Sequence, residues 1–233
     1  MLISLLLLGL ASVEQKMSLY IARIWFGKES MGTIMSAGVA VAVIAVSVVV
    51  PILSKKYDKY KVLCIGLGFA ILMDIVAFYV GFSNPVIALV MVMLKCTGLG
   101  FWQVIIYMLI ADTVEYGAYK SGTKAAGISF SLQTFVAKLK NALMGSIILF
   151  SMSRIGFVEG ENVVQPEGVA EGLWKLFCLF PAIGFSIALV VLLVFYKLKA
   201  KDVQVMAEYN NGAMTVEDAE AALLERYGKA YRK

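Results

Sequence analysis

Residues Gly127–Phe150 read "GISFSLQTFVAKLKNALMGSIILF", a run long enough to cross a bilayer, since a spanning helix needs about 20 mostly apolar residues. Yet Gln133, Thr134, Lys138, Lys140 and Asn141 fall inside it. At helical periodicity, Ser131, Thr134, Lys138, Asn141 and Gly145 lie three or four residues apart and form one stripe, which Gly127 extends. Leu132, Phe135, Val136, Leu139, Leu143 and Ile147 fill the other faces. A lysine at mid-bilayer costs about 2.5–3.5 kcal/mol on insertion scales. Lys138 therefore needs water, a counter-charge or a ligand. Snorkelling to the interface is the alternative, and it weighs more for Lys140, which lies on another face. The stripe predicts a helix with one wet face, lining a hydrated cavity through which a polar solute moves.

The rest of the chain supports a membrane setting. Of its 233 residues, 61% are hydrophobic and 16% charged, against about 45–50% and about 25% in a soluble domain. There is no His, which removes the commonest general base and metal ligand. Cys64, Cys96 and Cys178 each sit alone in apolar runs and read as small buried hydrophobes. No HExxH or GxSxG motif occurs and no acid–base pair is arranged, so an intramembrane enzyme is disfavoured. The net charge of +5 is modest, and nucleic acid is not an expected partner.

The expected fold class is an all-α membrane protein with six spans, near 1–25, 32–53, 62–82, 85–111, 125–150 and 173–197. The first begins apolar at Met1 without a basic n-region, so a signal peptide is disfavoured and the chain reads as starting in or just before a helix. Lys55, Lys56, Lys59 and Lys61 lie between the second and third spans. Lys120 and Lys124 follow the fourth, and Lys197, Lys199 and Lys201 follow the sixth. The alternate connections carry no base ("GFSNP") or are rich in glutamate (Glu159, Glu161, Glu167, Glu171). The positive-inside rule then places the basic loops and the carboxyl tail in the cytoplasm. In the tail, 199–233, "NNG" marks a turn, and Thr215 with Asp218 resembles an N-cap with an acidic N3. A short amphipathic helix packed under the bundle is expected there.

Other ionisable residues fall inside spans: Glu14, Lys16, Asp74 and Lys95. Each is a functional candidate or half of a structural ion pair, and their partners are not deducible from spacing. In "CTGLGFWQVIIY", two glycines permit close helix approach or a bend. Trp102 and Gln103 follow, an aromatic to stack on a sugar face and an amide for its hydroxyls. The alternative for Trp102 is a packing aromatic.

At "IADTVEYGAYKSGTKAAGISFSLQTFVAKLKNALMG" the chain resembles the carboxyl half of glycoside–pentoside–hexuronide:cation symporters, the melibiose permease family. Ala111, Asp112, Thr113, Val114, Glu115, Tyr116, Gly117, Tyr119 and Lys120 fit one part of that family's signature. Ser131, Gln133, Thr134 and Lys138 fit the second. The resemblance implies half of a major-facilitator-type transporter, two six-helix bundles rocking about a central site. It implies that Thr134 and Lys138 face the sugar and cation cavity and that Trp102 lies near a family tryptophan that stacks on the sugar; Gln133 and Asn141 complete the expected set of cavity residues. It also implies that Asp112 and Lys124 join a cytoplasmic gate network, to which Glu115 is expected to belong as well. The coupling ion would be Na⁺ or H⁺, with its carboxylates in the other half, so no cofactor and no metal site is expected in this half. Ala118 replaces the family's usual glutamate, which would weaken the gate. Lys124 stands for an arginine and loses bidentate pairing. Lys140 is an added cation that would shift preference toward an acidic sugar.

The resulting expectation is cation-coupled sugar transport in the cell membrane, this chain supplying the carboxyl half beside lipid and a missing amino half, in the same or a separate chain. A six-span homodimeric transporter and a non-transporting fragment are the alternatives.

Overall fold

The structure, a computed structural model, describes residues 17, 20–22, 24, 29–160 and 163–227. Its helices are α1 (Glu29–Lys56), α2 (Lys59–Val80), α3 (Pro85–Ser121), α4 (Ala126–Arg154), α5 (Val169–Phe195), α6 (Ala200–Asn210) and α7 (Val216–Tyr227). The first five are long and apolar enough to cross a membrane, and they fall on five of the six expected spans. The expected span at 1–25 lies largely outside the described residues, and with it Glu14 and Lys16. Within it Met17, Ile21 and Ala22 are helical and fully buried.

Local chemistry sets where the helices begin and stop. Asp58 opens α2 by accepting the Tyr60 N–H at 3.0 Å. Asn84 does the same for α3, taking the N–H groups of Val86 and Ile87, with Pro85 in the first turn. Both caps satisfy backbone donors that a helix start leaves free. α3 runs on past the expected limit of 111 to Ser121. At 37 residues it is about 55 Å long, well beyond a hydrocarbon core of about 30 Å. It ends at Gly122, whose φ of 71° lies in the left-handed region and whose N–H reaches the Ala118 carbonyl at 2.8 Å.

α3 is the spine of the bundle, packed against α1, α2, α4 and α6, while α5 lies on α2. Close approach comes from its glycines. A Cβ on Gly98 would sit 2.4 Å from the Ala70 Cβ of α2, and one on Gly100 would sit 2.9 Å from the Val46 Cβ of α1. Two apolar clusters stack along the bundle. One, with Val50, Leu63, Ile105, Trp102 and Leu192, lies toward the lysine-rich end. The other, with Val92, Cys96, Leu173, Trp174 and Phe177, lies toward the opposite end. Trp174 donates its indole N–H to the Ala77 carbonyl at 3.0 Å, joining α5 to α2.

Beyond the spans the tail folds back as two helices rather than the one expected. α6 and α7 bury Met206, Ala219 and Leu223 against Tyr119, on the projecting end of α3. At the start of α7, Thr215 Oγ1 accepts the Asp218 N–H at 3.2 Å and donates to the Asp218 carboxylate at 2.6 Å.

Candidate functional site

α4 stands apart from its neighbours. Its main packing partner among the described residues is α3, and it buries Gln133, Val136, Met144, Ile148 and Met152. Beside that buried row, Ser131, Thr134, Lys138 and Asn141 are all exposed, and Gly145 is half-buried. Lys138 is twelve residues into the helix, about 18 Å from its start and therefore near its middle. The Thr134 hydroxyl donates to its own helix at the Phe130 carbonyl, 2.9 Å away. Lys140 is half-buried on a different side from Lys138. Of the residues expected on the wet face, Gln133 is instead turned into the bundle, 7% exposed. The reason is its position one residue off the stripe.

Trp102 is also placed away from that stripe. It is 5% exposed and packs within an apolar cluster to which all five membrane-length helices contribute.

The lysine-rich end holds two ion pairs. Lys59 Nζ donates to Asp112 Oδ1 at 2.5 Å, and the Tyr196 hydroxyl donates to Asp112 Oδ2 at 3.2 Å. The Tyr196 ring stacks on Tyr60, centroids 5.4 Å apart and planes 18° from parallel. Tyr60 in turn donates to the Leu192 carbonyl at 3.4 Å. Asp112 thus ties the start of α2 and the end of α5 to α3. One turn further along α3, Glu115 pairs with Lys124 at 2.5 Å and accepts from the Asn210 side chain of α6 at 2.9 Å. A surface cavity of about 380 Å³ opens beside Tyr196, lined also by Thr113, Tyr116, Leu192, Phe195 and Lys197.

The three residues expected at the gate thus fall into two groups. Asp112 and Lys124 belong to separate pairs, because residues 112 and 115 point to different neighbours across a turn of helix. Asp112 meets α2, and Glu115 meets the α3–α4 connection. Ala118, where the family signature has a glutamate, is buried at 6% exposure. The sequence reading did not single out Lys59, Tyr196 or Asn210 as partners. Lys59 is one of four lysines in "SKKYDKYK" with nothing to distinguish it, and Tyr196 and Asn210 fall in no motif that points to these contacts.

Deep in the bundle, Asp74 of α2 and Lys95 of α3 pair at 2.7 Å with both side chains fully buried. The lysine also donates to the Phe177 carbonyl of α5 at 2.6 Å and lies 4.2 Å from the centre of the Phe177 ring. The pair sits where the two apolar clusters meet.

Comparison with known proteins adds a second line. The family model for MFS/sugar transport proteins matches residues 1–200. The chain is 29% identical to the "Uncharacterized symporter YjmB" of Bacillus subtilis, over 65% of this chain and 32% of that protein. It is 30% identical to the "Glucuronide carrier protein homolog" of Escherichia coli, over 73% and 37%. It is 28% identical to the "Isoprimeverose transporter" of Lactiplantibacillus pentosus, over 72% and 34%. The match spans about a third of the length of each of these relatives.

Proposed function

The chain belongs to the MFS/sugar transport protein family, and from that premise we propose that it builds one wall of a membrane carrier. The carrier moves a sugar or glycoside by alternating access, driven by a cation, Na⁺ or H⁺. The observation that carries this reading is the uncovered row Ser131, Thr134, Lys138 and Asn141 along a membrane-length helix. An ammonium such as that of Lys138 is costly in hydrocarbon, and exposed hydroxyl and amide groups beside it add to that cost. Facing water and a hydroxyl-rich cargo, the same groups are satisfied. Relatives named for a glucuronide and for isoprimeverose support a sugar as that cargo.

The second half of the cavity comes from a further bundle. With the basic loops in the cytoplasm, the Lys59–Asp112–Tyr196 and Lys124–Glu115–Asn210 groups stand at the inner mouth. There they hold the inner ends of α2, α3, α5 and α6 together while the two halves rock. Lys138 meets the cargo, and Thr134 and Asn141 flank it. Lys140 is half-buried off the row, and a preference for an acidic sugar would be set from that flank of the wall.

The test uses an intact transporter containing this half. Lys138→Leu is expected to abolish coupled uptake into vesicles while the amount of inserted protein stays the same. Undiminished uptake would remove Lys138 from the cavity and the carrier reading with it.

A further inference from the structure

The Asp74–Lys95 pair has a task that its charges alone do not explain. α5 runs unbroken from Val169 to Phe195 through Pro181. Proline has no backbone N–H, so residue 181 cannot donate to the carbonyl four residues earlier, and its ring crowds that carbonyl. The carbonyl four residues before Pro181 is that of Phe177. It is the one that Lys95 Nζ reaches at 2.6 Å. An unsatisfied carbonyl in a dry bundle is costly, and a donor from a neighbouring helix is one of the ways in which membrane helices accommodate proline.

We propose that Lys95 is a positioning residue that replaces the backbone donor missing at Pro181 and so holds α5 straight through the proline, while Asp74 keeps the lysine charged in the apolar interior. Three features on three helices converge on this one carbonyl. α2 supplies the counter-ion, α3 supplies the ammonium, and α5 supplies the break. The Phe177 ring, 4.2 Å from Nζ, adds a second contact to the same cation. Beyond the proline, α5 carries Leu192 and ends at Tyr196, which bond Tyr60 and Asp112. A bend at residue 181 would swing that end out of the Asp112 cluster. Lys95 therefore acts at a distance on the lysine-rich mouth, through the line of α5.

A simple ion pair and a carbonyl clamp differ in what rescues them. The experiment uses the purified full chain in detergent, with melting midpoints and with spin labels at the exposed positions Glu171 and Val194, on either side of the proline. No cargo is present, so its outcome is separate from the transport reading. Asp74→Asn/Lys95→Met removes both charges. It is expected to lower the midpoint by about 5 °C or more and to broaden the label-to-label distance distribution. Adding Pro181→Ala restores an N–H for the Phe177 carbonyl and is expected to recover most of both changes. Exchanging the charges, Asp74→Lys with Lys95→Asp, keeps a pair but sets a carboxylate against the carbonyl and is expected not to recover them. Equal losses with and without the proline, or a charge exchange that behaves like the original chain, would overturn the proposal. So would failure of the triple variant to fold, since the proline would then not be what Lys95 serves.

Discussion

Two ion pairs lie a helical turn apart on α3, and their surroundings make them unequal. Asp112 is 6% exposed and its partner Lys59 22%, whereas Lys124 is half in solvent at 50%. Removing Lys59 leaves a nearly buried carboxylate with only the Tyr196 hydroxyl, a loss of about 1–3 kcal/mol. Removing Lys124 leaves Glu115 with Asn210 and water, and solvated pairs contribute about 0–1 kcal/mol. Lys59→Met should therefore lower the melting midpoint clearly, and Lys124→Met hardly at all. Raised salt should erase the small Lys124 effect and spare the Lys59 one, because exposed charges are screened and buried ones much less. Midpoints of the two variants measured at low and high salt decide this, and equal losses would refute it. The contrast also marks how far sequence carries. The stripe through Thr134, Lys138 and Asn141 is a local periodicity and was readable from spacing. That Asp112 pairs with a lysine 53 positions away, and not with Lys124, depends on how α2 lies against α3. Spacing holds no record of that.

Helix contacts depend on small residues as well as on the large apolar ones. An added methyl at Gly98 has Ala70 at 2.4 Å and the Phe185 ring at 3.1 Å, so α2 or α5 must move. Overpacking of this kind costs about 1–3 kcal/mol, and Gly98→Ala is expected to lower the melting midpoint. Gly68, in the middle of α2, has nothing within 4 Å of its would-be Cβ. Gly68→Ala should leave the midpoint unchanged or raise it, since alanine is the better helix former by about 0.8–1 kcal/mol. Two alanines of the same size with opposite effects separate interhelical contact from propensity, and a matching fall for both would deny the close approach at Gly98. The pair of glycines at 98 and 100 was legible as a place for helices to meet, but not which helices. Other element features were hidden for a definite reason. Asp112 and Glu115 lower hydropathy, so the span was expected to stop at 111, yet hydropathy marks the lipid boundary and not the helix end. α3 continues ten residues further, to Ser121, stops at a left-handed glycine, and gives α6 and α7 a dry surface. α6 itself lacks a strong start signal, because Lys199 precedes it where Ser, Thr, Asp or Asn would be favoured. The Thr215–Asp218 cap of α7 was legible because it is a local motif.

The five membrane-length helices expose two kinds of surface. α1 shows Val41, Ile44, Val48 and Ile52 to its surroundings, a face with no polar group. α4 shows Ser131, Thr134, Lys138 and Asn141 together with Leu132, Phe135 and Leu139. Hydrocarbon suits the first face, while the second suits a boundary between lipid and a water-filled space. In a transporter assembled around this bundle, reactivity toward polar reagents should therefore divide the two. Single cysteines at Thr134, Lys138 and Asn141, in a background where Cys64, Cys96 and Cys178 are replaced, are expected to react readily with a membrane-impermeant maleimide. Those at Val41, Ile44 and Val48 are expected to react slowly, since thiolate formation needs water. A transported sugar should protect the α4 positions and leave the α1 positions unaffected, because only the former share its space. Equal reactivity on both helices, or no protection by any transported sugar, would place α4 against lipid. The ammonium of Lys138 would then be left to snorkel, and the wall of the cavity would have to be sought on another helix.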